Sequence, residues 1–355
     1  MNVSRALIGW YLKNKRDLPW RKIDDPYKIW LSEIILQQTR VEQGLPYYSK
    51  FILSYPTVNE LAMAPEEDVL KLWQGLGYYS RARNLHAAAK WIMNSYKGVF
   101  PLDYQSIRSL KGVGDYTAAA ISSFAFNLPY AVVDGNVYRF LSRYYGIETT
   151  IDSNTGKKLF AELAQDILNL KKPGLHNQAI MEFGSLQCKP GLPDCGNCIF
   201  NKECIAFRNH AVTDFPVKSK KLKIRSRYFN YLIIKHKNSV YLRKRPEGDI
   251  WQHLYDFPLI ETISNWSTQK IITSKEWKKL IGSQSVQIKS VVESKAHKLS
   301  HQHIFTRFIE LTFDTSPNKL IRSEFIEVQL HDVKKYPVPR LIEIALKDHF
   351  EDYFV

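Results

Sequence analysis

Residues Leu110–Arg143 read LKGVGDYTAAAISSFAFNLPYAVVDGNVYRFLSR. Gly112 and Gly114 stand two apart, and a helix-forming run, Tyr116–Phe126, follows at once. Glycine lets the backbone turn through φ > 0 and lets another backbone come close. The unpaired N–H groups at the start of the helix then face the turn, an arrangement suited to an anion such as phosphate. The same pattern also describes a plain helix–turn–helix corner. After a break at Asn127-Leu128-Pro129, the apolar Ala131-Val132-Val133 leads into Asp134-Gly135-Asn136, where a second helix, Val137–Tyr144, is predicted. Asp134 reads either as the N-cap of that helix or as a carboxylate held beside a phosphate clamp. The second reading would mean chemistry on a nucleic acid.

At 355 residues the chain has room for two domains, each with its own core. Its hydrophobic (45%) and charged (24%) contents are those of an ordinary soluble globular protein, but its net charge of +15 is not. Such an excess favours a polyanionic partner, because each phosphate neutralised by Lys or Arg releases counterions. A ribosome-associated or membrane-surface protein would carry the same charge. The N-terminus, MNVSRALIGWYLKNKRDLPW, alternates apolar and charged residues. No signal peptide or transmembrane span is visible, so a cytoplasmic, nucleoid-associated protein of bacterial type is expected. All four cysteines fall between Cys188 and Cys204, and such crowding suggests a metal site rather than disulfides.

Residues 1–212 read as almost wholly helical. Asp25-Pro26 supplies an N-cap and a first-turn proline, opening a helix expected to reach about Gln43. Thr57–Glu60 fits a capping box, Pro65-Glu66-Glu67 opens a further helix ended by Gly75, and Tyr79–Tyr96 continues the series. Asp103 and Asp152 read as caps of later helices. Short loops between amphipathic helices indicate an all-α domain. Thr213–Arg227 (TDFPVKSKKLKIRSR) is basic and reads as a linker, lying along phosphate or merely solvated. Beyond it, Tyr228–Lys235, Val240–Arg245, Gln287–Val292 and Phe305–Phe313 are rich in β-branched and aromatic residues. With helices at Ser274–Ile281 and Arg340–Phe350, residues 228–355 form an α+β domain.

Three constellations carry candidate chemistry. Glu33 follows Ile29 by four residues and Trp30 by three, and precedes Leu36 by three, so it shares their helix face. Desolvation there favours the protonated carboxyl and suits a general acid; pairing with a neighbouring Arg is the alternative. Tyr78 and Tyr79, in Trp73–Leu85 (WQGLGYYSRARNL), read from the residues alone as core. Cys188, Cys195, Cys198 and Cys204 are spaced C-x6-C-x2-C-x5-C, a set of thiolates that fits either zinc or a [4Fe–4S] cluster.

Together, the hairpin Leu110–Gly114 and an Asp twenty residues after Gly114 resemble the helix-hairpin-helix glycosylase superfamily. Within it, Ser32–Val41 (SEIILQQTRV) and Trp73–Leu85 are similar to the adenine DNA glycosylases of the MutY type, and the cysteine spacing after Met181-Glu182-Phe183-Gly184 is that of the superfamily's cluster. The resemblance implies that Glu33 protonates the base, that Asp134 stabilises the sugar cation, and that Tyr116 and Asn136 position Asp134. It implies that Gln38, Thr39 and Leu76 sit against the duplex, that Tyr78 wedges at the lesion, and that Lys111, Gly112 and Gly114 hold the backbone. Lys111 stands where the family's hairpin usually has Pro. The endonuclease III type follows its hairpin with Arg-Lys-Thr and uses that Lys as an amine nucleophile. Here Gly114-Asp115-Tyr116-Thr117 puts a phenol there, which points to a monofunctional enzyme. In the C-terminal part, His297-Lys298-Leu299-Ser300-His301 resembles the loop that recognises 8-oxoguanine, with Leu299 in place of the usual Phe; Ser300 and His301 carry over as its polar readers. Trp251–Ile260 and Pro337–Arg340 fit a MutT-like (Nudix-fold) domain, and without a G-x5-E-x7-R-E-x-x-E-E run it should bind and not hydrolyse.

The expected protein is thus a helical glycosylase domain bearing a [4Fe–4S] cluster on its four cysteines, joined to a MutT-like α+β domain. It would hydrolyse the N-glycosidic bond of adenine opposite 8-oxoguanine or guanine in double-stranded DNA, acting as a monomer with no membrane partner. An endonuclease III-like lyase acting on oxidised pyrimidines is the nearest alternative, and Tyr116 speaks against it. A catalytically silent iron–sulfur DNA-binding module is the other, and the two carboxylates at their motif positions speak against that.

Overall fold

A computed structural model describes residues 2–219 and 224–350, so residues 220–223 of the expected linker lie outside the described part. The chain divides into two compact units, one of residues 1–63 and 84–220, the other of residues 64–83 and 221–355. Residues 64–83 thus take their contacts with the C-terminal part, although they sit within the expected helical domain. Among the described residues, no helix is long and apolar enough to cross a membrane.

The first unit is helical, and its hairpin is built from local signals. Asp103 caps the helix Tyr104–Ser109 by accepting from Ser106 N at 2.9 Å. Val113 N then donates to Leu110 O across the turn at 3.0 Å, and the helix Asp115–Phe126 starts with Gly114 as its N-cap. Gly112 is required here. Its φ is +83°, and a Cβ on it would lie 2.7 Å from Asn84 Cβ. Arg108 stiffens the corner by donating to Val113 O at 3.0 Å and pairing with Asp115 at 2.5 Å. Leu110 and Val113 point into the core, whereas Lys111, Gly112 and Gly114 are exposed.

The helix opened by Asp25 ends sooner than the sequence suggests, at Leu36 rather than near Gln43. Gln38 adopts a left-handed conformation (φ +57°) that interrupts the helix, and a new helix, Val41–Ser54, follows the turn. Gly44 lets the two pack closely, since a Cβ there would meet Leu36 Cδ2 at 2.8 Å. A second correction concerns Asp152. Ser153 caps the helix Asn154–Asp166, and Asp152 instead accepts from Ser219 N at 3.0 Å. The core of this region joins Leu7, Tyr11, Val137, Phe140, Phe160 and Phe183.

The second unit holds a mixed sheet of seven strands among the described residues: β1 (Arg225–His236), β2 (Ser239–Lys244), β3 (Tyr255–Asp256), β4 (Leu259–Thr262), β5 (Val286–Lys298), β6 (Gln302–Phe313) and β7 (Ile326–Gln329). The order is β3-β2-β1-β6-β5, with β4 also on β1 and β7 on β2. β1 and β6 run parallel from Arg225↔Gln302 to Lys235↔Thr312. A parallel pair inside a sheet is covered on both faces and reads as a continuous apolar run, which explains Tyr228–Ile234. Phe229, Tyr231 and Ile233 pack on one face, with the helix Arg340–His349. Leu232 and Ile234 pack on the other, with Ile271, Trp277 and Ile321 from short helices. β1 begins at Arg225, inside the expected linker, and β5 reaches Lys298, so His297 and Lys298 are strand residues and only 299–301 form the turn. β3, β4 and β7 were too short to show a period.

Because Gly112 alone of the two hairpin glycines is left-handed, the pair should respond differently to substitution. Gly112→Ala is expected to cost about 1–2 kcal/mol from the backbone conformation alone, with more from Asn84. Gly114→Ala, whose Cβ would meet nothing within 4 Å, should cost less, about 0.5–1 kcal/mol, because Ala is a poorer N-cap than Gly. Urea unfolding followed by far-ultraviolet circular dichroism measures both.

Candidate active site

Glu33 occupies the last turn of the helix Pro26–Leu36, whose residues Tyr27 and Ile29–Ile35 are all buried. Its side chain is only 7% exposed. The partner is Tyr116, the second residue of the helix that follows the hairpin, whose hydroxyl donates to Glu33 Oε2 at 2.7 Å. Burial pushes the Glu33 carboxyl up from the ordinary 4.5 to about 7; the Tyr116 hydrogen bond and Arg21 oppose the rise, and the nearby Asp134 charge adds to it. The Tyr116 hydroxyl thus donates to Glu33, where the resemblance placed it with Asp134; burial raises the Tyr116 pKa, and the Asp134 charge lies near enough to add to the rise. The helices Pro26–Leu36 and Asp115–Phe126 pack together, with Gln37 Nε2 donating to Thr117 Oγ1 at 3.2 Å, and that packing delivers the phenol to Glu33.

Asp134 is the N-cap of the helix Gly135–Tyr145, accepting from Asn136 N at 2.9 Å and Val137 N at 2.8 Å on Oδ1. Its other oxygen accepts from Asn136 Nδ2 at 2.7 Å. Burial raises its pKa, and these hydrogen bonds work against the rise. Asn136 Oδ1 accepts in turn from Arg139 Nη2 at 2.8 Å, and Arg139 Nε donates to Cys188 O at 2.7 Å. The two carboxylates of Glu33 and Asp134, 101 positions apart in sequence, face one cavity of about 430 Å³, walled also by Trp20, Arg21, Tyr116, Met181 and Glu182. That volume lies in the range of small-molecule sites.

Three residues of this cavity escaped the sequence reading. Glu182 is fully buried and accepts from Arg16 Nε at 3.0 Å, Arg16 Nη2 at 2.7 Å and Arg21 Nη2 at 2.6 Å. Burial alone would raise its pKa, but the arginine hydrogen bonds outweigh it and bring the group down to about 2. In sequence the two arginines belong to an unremarkable basic run, Lys13–Lys22, and Glu182 is simply a helix residue before the cysteines. No local signal joins them.

The expected DNA-facing residues divide. Gln38 is exposed in its left-handed turn, Thr39 is half-buried at the cavity rim, and Lys111, Gly112 and Gly114 are exposed on the hairpin. In the second unit Leu76 is buried, whereas Tyr78, with φ +46°, is 46% exposed and meets Ser300 Oγ at 2.9 Å through its hydroxyl. Leu76, Tyr78, Trp251, Leu299, Ser300 and His301 line a cavity of about 400 Å³. Arg81 lies beneath this loop, over the Trp73 ring at 5.0 Å, and donates to Gly77 O at 3.2 Å.

The four cysteines form no disulfide and line one small pocket with Phe183, Phe200 and Arg143. Arg143 Nη1 lies 3.6 Å from Cys188 Sγ, and Phe200 N donates to Cys198 Sγ at 3.4 Å. Burial and the mutual repulsion of thiolates push Cys198 up to about 12 and raise Cys195 and Cys204 as well. Four cysteine side chains lining one pocket are a donor set of the kind that holds a metal centre once deprotonated. Among the described residues, no three His, Cys, Asp or Glu side chains converge closely enough to hold a single metal ion.

Residues 31–167 match the model of the HhH-GPD superfamily of base excision DNA repair proteins, and residues 230–348 match a NUDIX domain. An adenine DNA glycosylase of Buchnera aphidicola subsp. Acyrthosiphon pisum is 40% identical over 72% of this chain and 73% of its own length. Another, from Buchnera aphidicola subsp. Schizaphis graminum, is 34% identical over 87% of this chain and 88% of its own. A solved thermostable thymine-DNA glycosylase superposes with a TM-score of 0.54 at 30% identity, covering 58% of this chain and 95% of that one. With its carboxylate-lined cavity, its hairpin and its Nudix-type sheet, the chain belongs to the adenine DNA glycosylases, enzymes that excise adenine from DNA in base excision repair.

Proposed function

We propose that this enzyme acts on adenine paired with 8-oxoguanine or guanine, and that Glu33 and Asp134 divide the chemistry. The observation that carries the reading is that Glu33, buried and pushed up to about 7, and Asp134, held at a helix N-terminus by the N–H groups of Asn136 and Val137, line one cavity of about 430 Å³. A group pushed toward its neutral form at working pH is suited to donate a proton. Exposed Lys111 and the N–H groups at Gly114 and beyond hold the DNA backbone, and the adenine nucleotide turns out of the stack. Glu33 gives its proton to the adenine, at N7, and the N9–C1′ bond breaks with its electron pair leaving on the base. Asp134, ionised and held by Asn136 and Val137, stabilises the oxocarbenium-like sugar and can bond to C1′ as the carboxylate of a retaining glycosidase does. Water completes the hydrolysis and leaves an abasic site. Tyr116 holds Glu33 in place; as a phenol already engaged there, it offers no amine for strand cleavage, and the enzyme is monofunctional.

Opposite-base selection falls to Tyr78, Ser300 and His301 around their own cavity. The aromatic ring offers a surface to stack in place of the lost partner, which offsets part of the few kcal/mol, roughly, that extrusion costs. Cys188, Cys195, Cys198 and Cys204 would hold a [4Fe–4S] cluster. When bound, that group supplies thiolate–iron bonds that tie down the 188–204 loop. The enzyme works on duplex DNA as a monomer.

A single-turnover assay on duplexes carrying adenine opposite 8-oxoguanine, G, T and C tests the substrate; excision from the first two alone is expected, and equal rates on all four would refute the specificity. Glu33→Gln should lower the rate by about 10²–10⁴ while duplex binding survives. In the parent the rate should fall as pH rises through about 7, because the protonated carboxyl is then lost, whereas a rate that rises there would mean Glu33 acts as a base. Purified protein should contain iron and acid-labile sulfide in equal amounts, both lost in Cys198→Ser. Zinc without sulfide would contradict the cluster.

A further inference from the structure

Residues 64–83 are gripped by strands, turns and loops of the C-terminal part at both ends of the helix Glu66–Leu72. At its start, the ring N–H of His253 donates to Glu66 Oε1 at 2.6 Å, and Glu67 Oε1 accepts from Tyr255 at 2.7 Å and Lys244 at 3.0 Å. At its end, Lys71 donates to Tyr336 O at 3.1 Å and Gln74 Oε1 accepts from Val338 N at 3.3 Å. Further on, Arg83 donates to Gln252 O at 2.9 Å.

The turn 250–254 faces both this grip and the Tyr78 cavity. Trp251 (φ +58°) and His253 (φ +65°) both adopt the left-handed conformation, uncommon for residues with a Cβ. Arg245 holds the turn, donating from its backbone to Leu254 O at 2.8 Å and from Nε to Ile250 O at 3.1 Å. Alternate residues therefore face opposite tasks: Trp251 walls the cavity under Tyr78, and His253 reaches Glu66. Neither Glu66 nor Glu67 lines the cavity; Glu66 ties the segment that carries Tyr78 to the turn that carries Trp251, and Glu67 ties it to the paired strand residues Tyr255 and Lys244 that follow that turn in β3 and flank it in β2.

We propose that Glu66 and Glu67 are positioning residues for opposite-base selection, locking the Tyr78 loop to the Trp251 turn so that Tyr78 meets Ser300 across one cavity. This rests on the reading above that the cavity meets the base opposite adenine. Misplacement by about 1 Å from a change far from the chemistry can cost up to about 10²-fold, and here it falls on discrimination rather than on bond cleavage.

Single-turnover excision from A:8-oxoguanine and A:G duplexes tests it with Glu66→Ala/Glu67→Ala and the conservative Glu66→Gln/Glu67→Gln, whose amides still accept hydrogen bonds. Both side chains are partly exposed, 31% and 41%, so neither pair opens a buried cavity. The Ala pair should lose about tenfold of the preference for 8-oxoguanine, with the A:G rate within about twofold of the parent; the Gln pair should keep most of the preference. A preference intact in the Ala pair overturns the lock, as does an equal fall on both substrates or a Gln pair no better than the Ala pair. A parent enzyme with no preference at all overturns the opposite-base reading itself, and the lock with it.

Discussion

Removing Glu33 from water is the constraint around which the catalytic unit is arranged. An ionised carboxyl among Ile29, Trp30 and their neighbours is costly, and Tyr116 supplies one donor rather than a compensating cation. The group therefore moves toward its protonated form. Glu182, equally deep, shows what the alternative looks like: two guanidinium groups surround it and it stays charged. The same side-chain type is thus tuned in opposite directions by its donors, and the chemistry of the cavity follows from that difference.

Asp134 shows that a structural role and a chemical one can be the same geometry. Capping orients its carboxylate through two backbone N–H groups and the Asn136 amide. Those bonds favour the charged form against the effect of burial. A helix N-terminus adds a partial positive charge at the same place. The hairpin before it does similar work with backbone alone, and Gly112 is its one position where the chain must turn left-handed.

The sheet unit solves a different problem, that of presenting an exposed tyrosine at a defined place. Its parallel β1–β6 pair is packed on both faces, leaving the polar contacts to the turns and strand ends. Those turns grip residues 64–83 through carboxylate, amide and carbonyl groups that are partly solvated. Such contacts are individually weak but several act on one short helix.

Much of the local architecture was legible before any coordinates. The hairpin glycines, the Asp25 and Asp103 caps, the crowded cysteines and the apolar run of β1 each state their conformation within a few residues, because capping, φ > 0 and face periodicity are short-range effects. The burial of Glu33 could also be read from its helix face. Its partner could not. Tyr116 lies 83 positions from Glu33, Arg16 lies 166 from Glu182, and His253 lies 187 from Glu66. Such pairs depend on how helices and strands pack, and packing answers to shape and volume that no local pattern records. Sequence alone determined most of the elements and several of their caps, and pointed to the family's motif residues; tertiary structure decided that the Tyr116 hydroxyl reaches Glu33, that two arginines keep Glu182 ionised, and that residues 64–83 go with the sheet, because only the folded chain brings those distant groups within hydrogen-bonding reach.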